Sequence, residues 1–495
     1  MTDADLPAPT AGRTEPDWVT HAVWWQIYPL GFVGAPQEHK LGDDGTPRTD
    51  IHHTLDRIID WLDYAIELGA SGIALGPIFQ SETHGYDTTD YFAIDARLGD
   101  TDDFRRLVHE AHSRGLRVLL DGVFNHVGRS FARFQSELAQ ASQTGQAFHA
   151  SQASQPNQAF QPNQASQAGE SVQVDVAPDA SWFIRSDDAV DVHNGGFASF
   201  EGHAALVKLN HSEPAVADLV VDVMNHWLQL GADGWRLDAA YAVDPQFWTA
   251  VLPRVRAAHP DVYVVGEVLH GDYAAFVAES GVDSVTQYEL WKAIWSGIGE
   301  SNFFELAWSM DRHAQFLESF APLTFVGNHD VTRIASAIGD KRHLAHALVV
   351  LFTVGGTPTI YYGDEQAFVG VKEERAGGDD TIRPEFPVGG RGDLAPEGWP
   401  TFHVHQELIG LRRRHPWLHR AAPRQLQLTN ESYVYEVTGD GERLVVSLNL
   451  DDAPSSFDLP THGEVVAGSA SATPSGSGTT LSTPAHGWVV VQLQS

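Results

Sequence analysis

The feature that most limits the fold of this chain is a repeating order, from about residue 22 onward, of short apolar strand, polar loop and amphipathic helix. Strands spaced by a helix return parallel to one another, because a hairpin turn cannot make that connection. Eight segments qualify: AVWWQIYPLGF (22–32), SGIALGPIF (71–79), RVLLDGVFNH (117–126), GWRLDAA (234–240), VYVVGEV (262–268), DSVTQYE (283–289), LTFVGNHD (323–330) and TPTIYYGDE (357–365). Eight such units predict an α/β protein built on a closed (β/α)8 TIM barrel. Between the first two strands, Ile51, Leu55, Ile58, Leu62 and Ile66 recur at three- and four-residue steps, which predicts one helix packed on the sheet and stopped at Gly69.

Two intervals break the repeat. Residues 128–210, after the third strand, are far longer than an ordinary connection and predict an inserted subdomain. Within it, 141–170 is a low-complexity Gln/Ser/Ala/Asn stretch carrying the repeat QPNQA, too poor in apolar surface to pack and therefore read as a surface loop. After the last barrel helix, HVHQELIGLRRRH (403–415), the segments ESYVYEV, RLVVSLNL and GWVVVQLQ alternate apolar and polar residues around turns such as TGDGE. They predict a C-terminal antiparallel β-sandwich over 417–495, leaving 1–127 and 211–416 to the barrel.

Composition removes several function classes. With 65 acidic against 31 basic residues the formal charge is -34, which repels phosphate backbones and anionic lipid, so neither nucleic acid nor membrane is an expected partner. The absence of cysteine rules out a disulfide framework and a thiolate nucleophile and suits a reducing compartment. No apolar run reaches membrane-spanning length, and MTDADLPAPTAGRTEPDW lacks a basic n-region, so the expected location is the cytoplasm.

In a (β/α)8 barrel the active site lies at the carboxyl ends of the strands. Asp121, Asn125 and His126 end the third, Arg236 and Asp238 the fourth, Glu267 the fifth, and Asn328, His329 and Asp330 the seventh. Such a ring of carboxylates can bind a metal, or can act as nucleophile and acid on an acetal. Arg236 and Asp238 are two residues apart on a strand and so share a face, as a structural ion pair or as a carboxylate kept ionised for attack. Glu267 follows the apolar run YVVG, where burial is expected to raise its pKa and suit it to proton donation.

The motifs DGVFNH (121–126), GWRLDAAY (234–241), GEVLHG (266–271) and FVGNHD (325–330), with HGYDTTDY (84–91) and IYYGDE (360–365), resemble in order those of the α-amylase family of glycoside hydrolases, over nearly the whole chain. The resemblance implies a retaining glycosidase with a covalent glycosyl-enzyme intermediate, Asp238 as nucleophile, Glu267 as general acid/base and Asp330 as the carboxylate that grips sugar hydroxyls. It further implies that His126 and His329 hydrogen-bond the same sugar, that Arg236 orients Asp238, and that Tyr86 supplies an aromatic face beneath the ring. Asp121 is read as a structural partner of Arg236, Trp24, Trp25 and Tyr28 as mainly packing, and His270 as a neighbouring sugar contact.

The chain also departs from the family pattern. Members commonly hold calcium with the asparagine of DGVFNH and a histidine four residues after the nucleophile. Here Ala242 takes the histidine's place beside Tyr241, which replaces a basic residue, so no metal or other cofactor is expected at Asn125. LVKLN (206–210) resembles the neopullulanase and cyclomaltodextrinase form of its motif, pointing to short or cyclic maltodextrins, cyclic maltosyl-maltose included. Those relatives carry an extra N-terminal β-domain used in dimerisation, and about twenty residues precede the first strand here; a homodimer remains one assembly compatible with the resemblance. Asp87 and Arg333 are expected to meet and close the pocket around a terminal glucose. Transfer to a sugar acceptor, oligo-α-glucosidase action and a non-catalytic binding role stay open as alternatives.

Overall fold

The computed structural model describes residues 15–37, 50–143, 181–186, 195–375, 377–459, 461–475 and 478–494. The eight predicted segments all contribute strands: β1 (Trp24–Ile27), β2 (Gly72–Leu75), β3 (Arg117–Gly122), β4 (Gly234–Leu237), β5 (Tyr263–Gly266), β6 (Ser284–Val285), β7 (Leu323–Phe325) and β8 (Thr357–Tyr361). They form one eight-stranded sheet in the order β6-β5-β4-β3-β2-β1-β8-β7, with every pairing parallel. A parallel bridge between Thr286 and Leu323 links the two end strands, so the sheet is a nearly closed barrel.

The strands are shorter than the predicted segments because each apolar run ends in the polar residues that build the barrel mouth. Trp24, Ala74, Leu119, Tyr263, Val265 and Phe325 form a cluster separate from the main core, whereas Trp25, Ile73, Val118, Leu120 and Val264 join the core shared with the helices, as the two-residue period of a strand requires. Gly72 is needed where it stands, since a Cβ there would lie 2.4 Å from the Trp24 ring and 2.9 Å from the Arg117 carbonyl.

The first predicted helix is two short ones, Asp56–Ile59 and Leu62–Leu68, ended by Gly69 in the left-handed region at φ 104°. Leu55, Ile58 and Leu62 are buried, but Ile51 and Ile66 are 50% and 40% exposed. Ile51 precedes the helices, and the break between them rotates Ile66 off the buried face, so the single five-residue stripe is corrected to three residues.

After β3 the chain forms a small antiparallel sheet of His126–Gly128, His203–Lys208 and Ser199–Phe200. Phe134 packs edge-on against both Phe183 and Phe197 beneath it. The helix Ala132–Gln143 takes up the first residues assigned to the low-complexity loop, and 144–170 lie outside the described residues. At the other end of the chain, the barrel helix Trp399–Arg414 precedes a five-stranded and a three-stranded antiparallel sheet. Val434, Val445, Val489 and Val491 of the larger sheet meet Leu459 and Leu481 of the smaller in a common core. No helix among the described residues is long and apolar enough to cross a membrane.

Candidate active site

The barrel mouth gathers the predicted carboxylates around one cavity of about 340 Å³, lined by Tyr86, His126, Asp238, Glu267 and Asp330 among others. Strand register places Asp121 of β3 beside Arg236 of β4, and the arginine Nη1 donates to both Asp121 oxygens at 2.7 and 2.6 Å. The same Nη1 lies 3.2 Å from Asp238 Oδ1, and Nη2 lies 2.7 Å from Glu267 Oε1. One guanidinium thus serves three carboxylates: the expected Asp121 and Asp238, and also Glu267, which the sequence did not place beside it. Burial first, and the neighbouring Glu267 carboxylate second, push the Asp238 pKa well above the usual carboxylate range despite Arg236.

Glu267 does not lie in the apolar surroundings that YVVG suggested. Besides Arg236, the Tyr288 hydroxyl donates to its Oε1 at 3.0 Å and the Ala239 amide to its Oε2 at 2.9 Å. The second contact depends on a sharp turn after Asp238, where Ala239 takes a left-handed φ of 44°.

Asp330 has the opposite setting to Asp238. His329 Nε2 lies 2.9 Å from its Oδ2, and Arg383 Nη2 donates to its Oδ1 at 2.9 Å. Burial raises its pKa, but His329, Arg383 and Arg236 outweigh that and hold it below the usual carboxylate range. The His329 ring lies parallel to those of Tyr86 (5.3 Å, 3°) and Tyr28 (6.0 Å, 3°). Its Nδ1 faces the Gln26 amide at 3.4 Å, and its Nε2 also meets the Tyr86 hydroxyl. Tyr28 therefore belongs to the wall behind the site, while Trp24 and Trp25 are fully buried packing residues.

Of three expected contacts, the geometry corrects one. His126 lines the cavity, where its Nε2 donates to the Tyr86 carbonyl at 2.9 Å and its Nδ1 accepts from Asn125 at 3.1 Å. Burial pushes its pKa down to about 4 and keeps it neutral. Asp87 and Arg333 do not meet. The Asp87 carboxylate accepts from the Thr83 amide at 3.0 Å and hydroxyl at 2.5 Å, whereas Arg333, 1% exposed, donates to Asp364 at 2.9 Å and to the Tyr362 and Ile382 carbonyls at 2.6 and 2.8 Å. Arg333 instead braces the loop that carries Arg383. His270 is exposed next to Leu269, which lines the cavity.

Sequence reasoning missed Tyr288, Arg383 and Gln26. Tyr288 stands at the carboxyl end of β6, so the strand-end rule that singled out Glu267 could have found it. Arg383 lies on the loop after β8, where no periodicity marks it.

The calcium that the family resemblance implies would need Asn125. Asn125 Oδ1 is buried without a hydrogen-bond partner among the described residues, but Ala242 offers only a methyl group. A hard cation takes six to eight oxygen ligands. No cluster of His, Asp or Glu ligand atoms forms there among the described residues; the one such cluster is His53, Asp100 and Asp103. Those donors do not fit calcium at Asn125. In the distant cluster, Asp100 and Asp103 cap the helix Thr101–Ser113, and Arg106 already supplies a cation to Asp103.

The alpha-amylase catalytic-domain description matches residues 26–421. The chain belongs to the alpha-amylase family. This glycoside hydrolase is 30% identical over 465 residues to a cyclomaltodextrinase of Geobacillus thermopakistaniensis, covering 90% of this chain and 71% of that one. It is also 30% identical to neopullulanase 2 of Thermoactinomyces vulgaris, covering 85% and 68%. Among solved structures, the cyclic α-maltosyl-(1→6)-maltose hydrolase of Arthrobacter globiformis superposes with a TM-score of 0.73 at 22% identity, covering 97% of this chain and all (100%) of that one. At that identity the likeness concerns the fold alone.

Proposed function

We propose that the enzyme hydrolyses α-glucosidic bonds in short or cyclic maltodextrins with retention of configuration. The observation that carries this reading is the convergence of Asp238, Glu267 and Asp330 on one cavity, with a single guanidinium touching the first two. A retaining enzyme needs its two working carboxylates about 5 to 5.5 Å apart, and side chains reached from the two ends of one guanidinium suit that spacing. Asp238 attacks the anomeric carbon, Glu267 protonates the departing oxygen, and water then cleaves the glycosyl ester with Glu267 as base. The reaction requires Asp238 ionised and the proton on Glu267 at the moment Asp238 attacks. Asp330, kept ionised by His329 and Arg383, stabilises the positive charge that develops on the sugar.

The cavity is at the small end of the range for ligand pockets, which supports short substrates. Relatives named cyclomaltodextrinase and neopullulanase support maltodextrins as the class. We retain the division into barrel (1–127, 211–416), inserted subdomain (128–210) and C-terminal sandwich (417–495) as part of this reading, with a cytoplasmic location and a homodimer as its remaining elements. Glu267→Gln should lower kcat by several orders of magnitude with unchanged melting, and proton NMR of the first product should show the α-anomer. A β-anomer, or a fully active Glu267→Gln, would overturn the assignment.

A further inference from the structure

The contact between the inserted sheet and the barrel beside Glu267 is not part of the functional reading above. Phe200 pairs with His203 across a two-residue hairpin turn, Glu201–Gly202, whose central residues both have positive φ, 49° and 78°. Such a turn favours asparagine, aspartate or glycine in its first central position, so a glutamate there is held at a conformational cost. Phe200, which precedes the tip, and Glu201 within it are both docked onto the active site. The Phe200 ring stacks on His126 at 4.7 Å and 14°, and the Glu201 carboxylate accepts a 2.8 Å hydrogen bond from the Tyr241 hydroxyl.

Tyr241 is tied to the proposed acid in turn, its backbone amide donating to the Glu267 carbonyl at 3.1 Å. Phe200, Glu201, Tyr241 and Leu269 line the same cavity as Asp238 and Glu267. A general acid must stand beside the oxygen it protonates, so the residues around Glu267 border the departing group. With its hydroxyl engaged by Glu201, Tyr241 offers this space its ring, 6.5 Å from that of Phe200.

We propose that Glu201 and Tyr241 form a latch that holds the hairpin tip over the leaving-group side of the site, where the rings of Tyr241 and Phe200 make a stacking wall for the departing sugar. The inference rests on the proposed retaining mechanism. By microscopic reversibility the same wall receives a sugar acceptor. In that step the bond between Asp238 and the anomeric carbon breaks, the acceptor hydroxyl oxygen bonds to that carbon, and its proton passes to Glu267. The latch therefore raises both the preference for sugar over small leaving groups and the share of transfer over hydrolysis.

The test compares maltotriose with α-maltosyl fluoride, whose leaving group is a bare ion. In Tyr241→Phe and Glu201→Gly, the ratio of kcat/KM for maltotriose to that for the fluoride should fall by roughly tenfold, the size of one charge-assisted hydrogen bond. Tyr241→Ala, which also removes the ring, should lower it further, and longer-than-donor products at high maltotriose should fall in parallel. Glu201→Gly relieves the backbone cost and should melt within about 2 °C of the wild type, which separates the latch from a general folding role. Equal losses on both substrates, or an unchanged ratio, would overturn the proposal. A wild-type enzyme that cleaves neither substrate would refute the functional reading itself and the latch with it.

Discussion

Removing Arg383 should loosen Asp330 by an amount that the geometry bounds. Arg383 Nη2 donates to Asp330 Oδ1 at 2.9 Å, its Nε donates to the His329 carbonyl at 2.8 Å, and its guanidinium lies 4.7 Å from the centre of the Tyr28 ring. Its side chain is 12% exposed and that of Asp330 34%. Breaking a fully buried pair costs about 3 to 5 kcal/mol and breaking a surface pair about 0 to 1. Water in the cavity screens this one to an intermediate value, about 2 kcal/mol. Because the folded-state pKa of Asp330 is depressed, the stability it contributes is present above its unfolded pKa and is lost as pH falls through its folded pKa. Arg383→Met should therefore be about 2 kcal/mol less stable than the wild type at pH 7, and the gap should narrow as pH falls below about 4. Urea melts across that range, closed into a double-mutant cycle with Asp330→Asn, measure both effects. A coupling below about 0.5 kcal/mol, or a gap that does not change with pH, would refute the claim that Arg383 holds Asp330 ionised.

Burial also sets the acid limit of the fold. His126, His313, His346 and His405 are each pushed down to about 4, so they are buried neutral and bind protons once unfolded. Their contribution is complete above about pH 6.5 and is lost from there down through pH 4, at up to about 1.4 kcal/mol per pH unit for each; a flat urea midpoint between pH 7 and 5 would contradict this. Chelation with EDTA should leave melting and activity unchanged, since the donors at Asn125 do not make a calcium set, and a drop of several degrees would show otherwise. Gly72→Ala should cost about 1 to 3 kcal/mol by driving a methyl group into the Trp24 ring, and wild-type stability in this variant would mean that the barrel interior yields more easily than its packing implies.

Much of the architecture was legible because strand formation in a parallel barrel depends on local apolar runs, and all eight were found in chain order. The helix after β1 was less legible. Periodicity records spacing but not where a helix breaks, and the break between Ile59 and Leu62 turned Ile66 outward. The three carboxylates were legible for a related reason, since each ends a strand and a barrel collects its strand ends at one mouth. Arg383 was not, because a loop residue acquires its partner only when the chain after β8 folds back over the site.

Residue order by itself determined the barrel, the family and the ring of carboxylates. Tertiary structure decided how those carboxylates are employed. The two-residue spacing of Arg236 and Asp238 told of a shared face, but it could not tell that a neighbouring strand brings Glu267 to the same guanidinium. Nor could it tell that Arg333 pairs with Asp364 instead of Asp87. Charge pairing depends on distance through space, and burial decides which carboxylate holds its proton; neither is set until separate strands and loops converge.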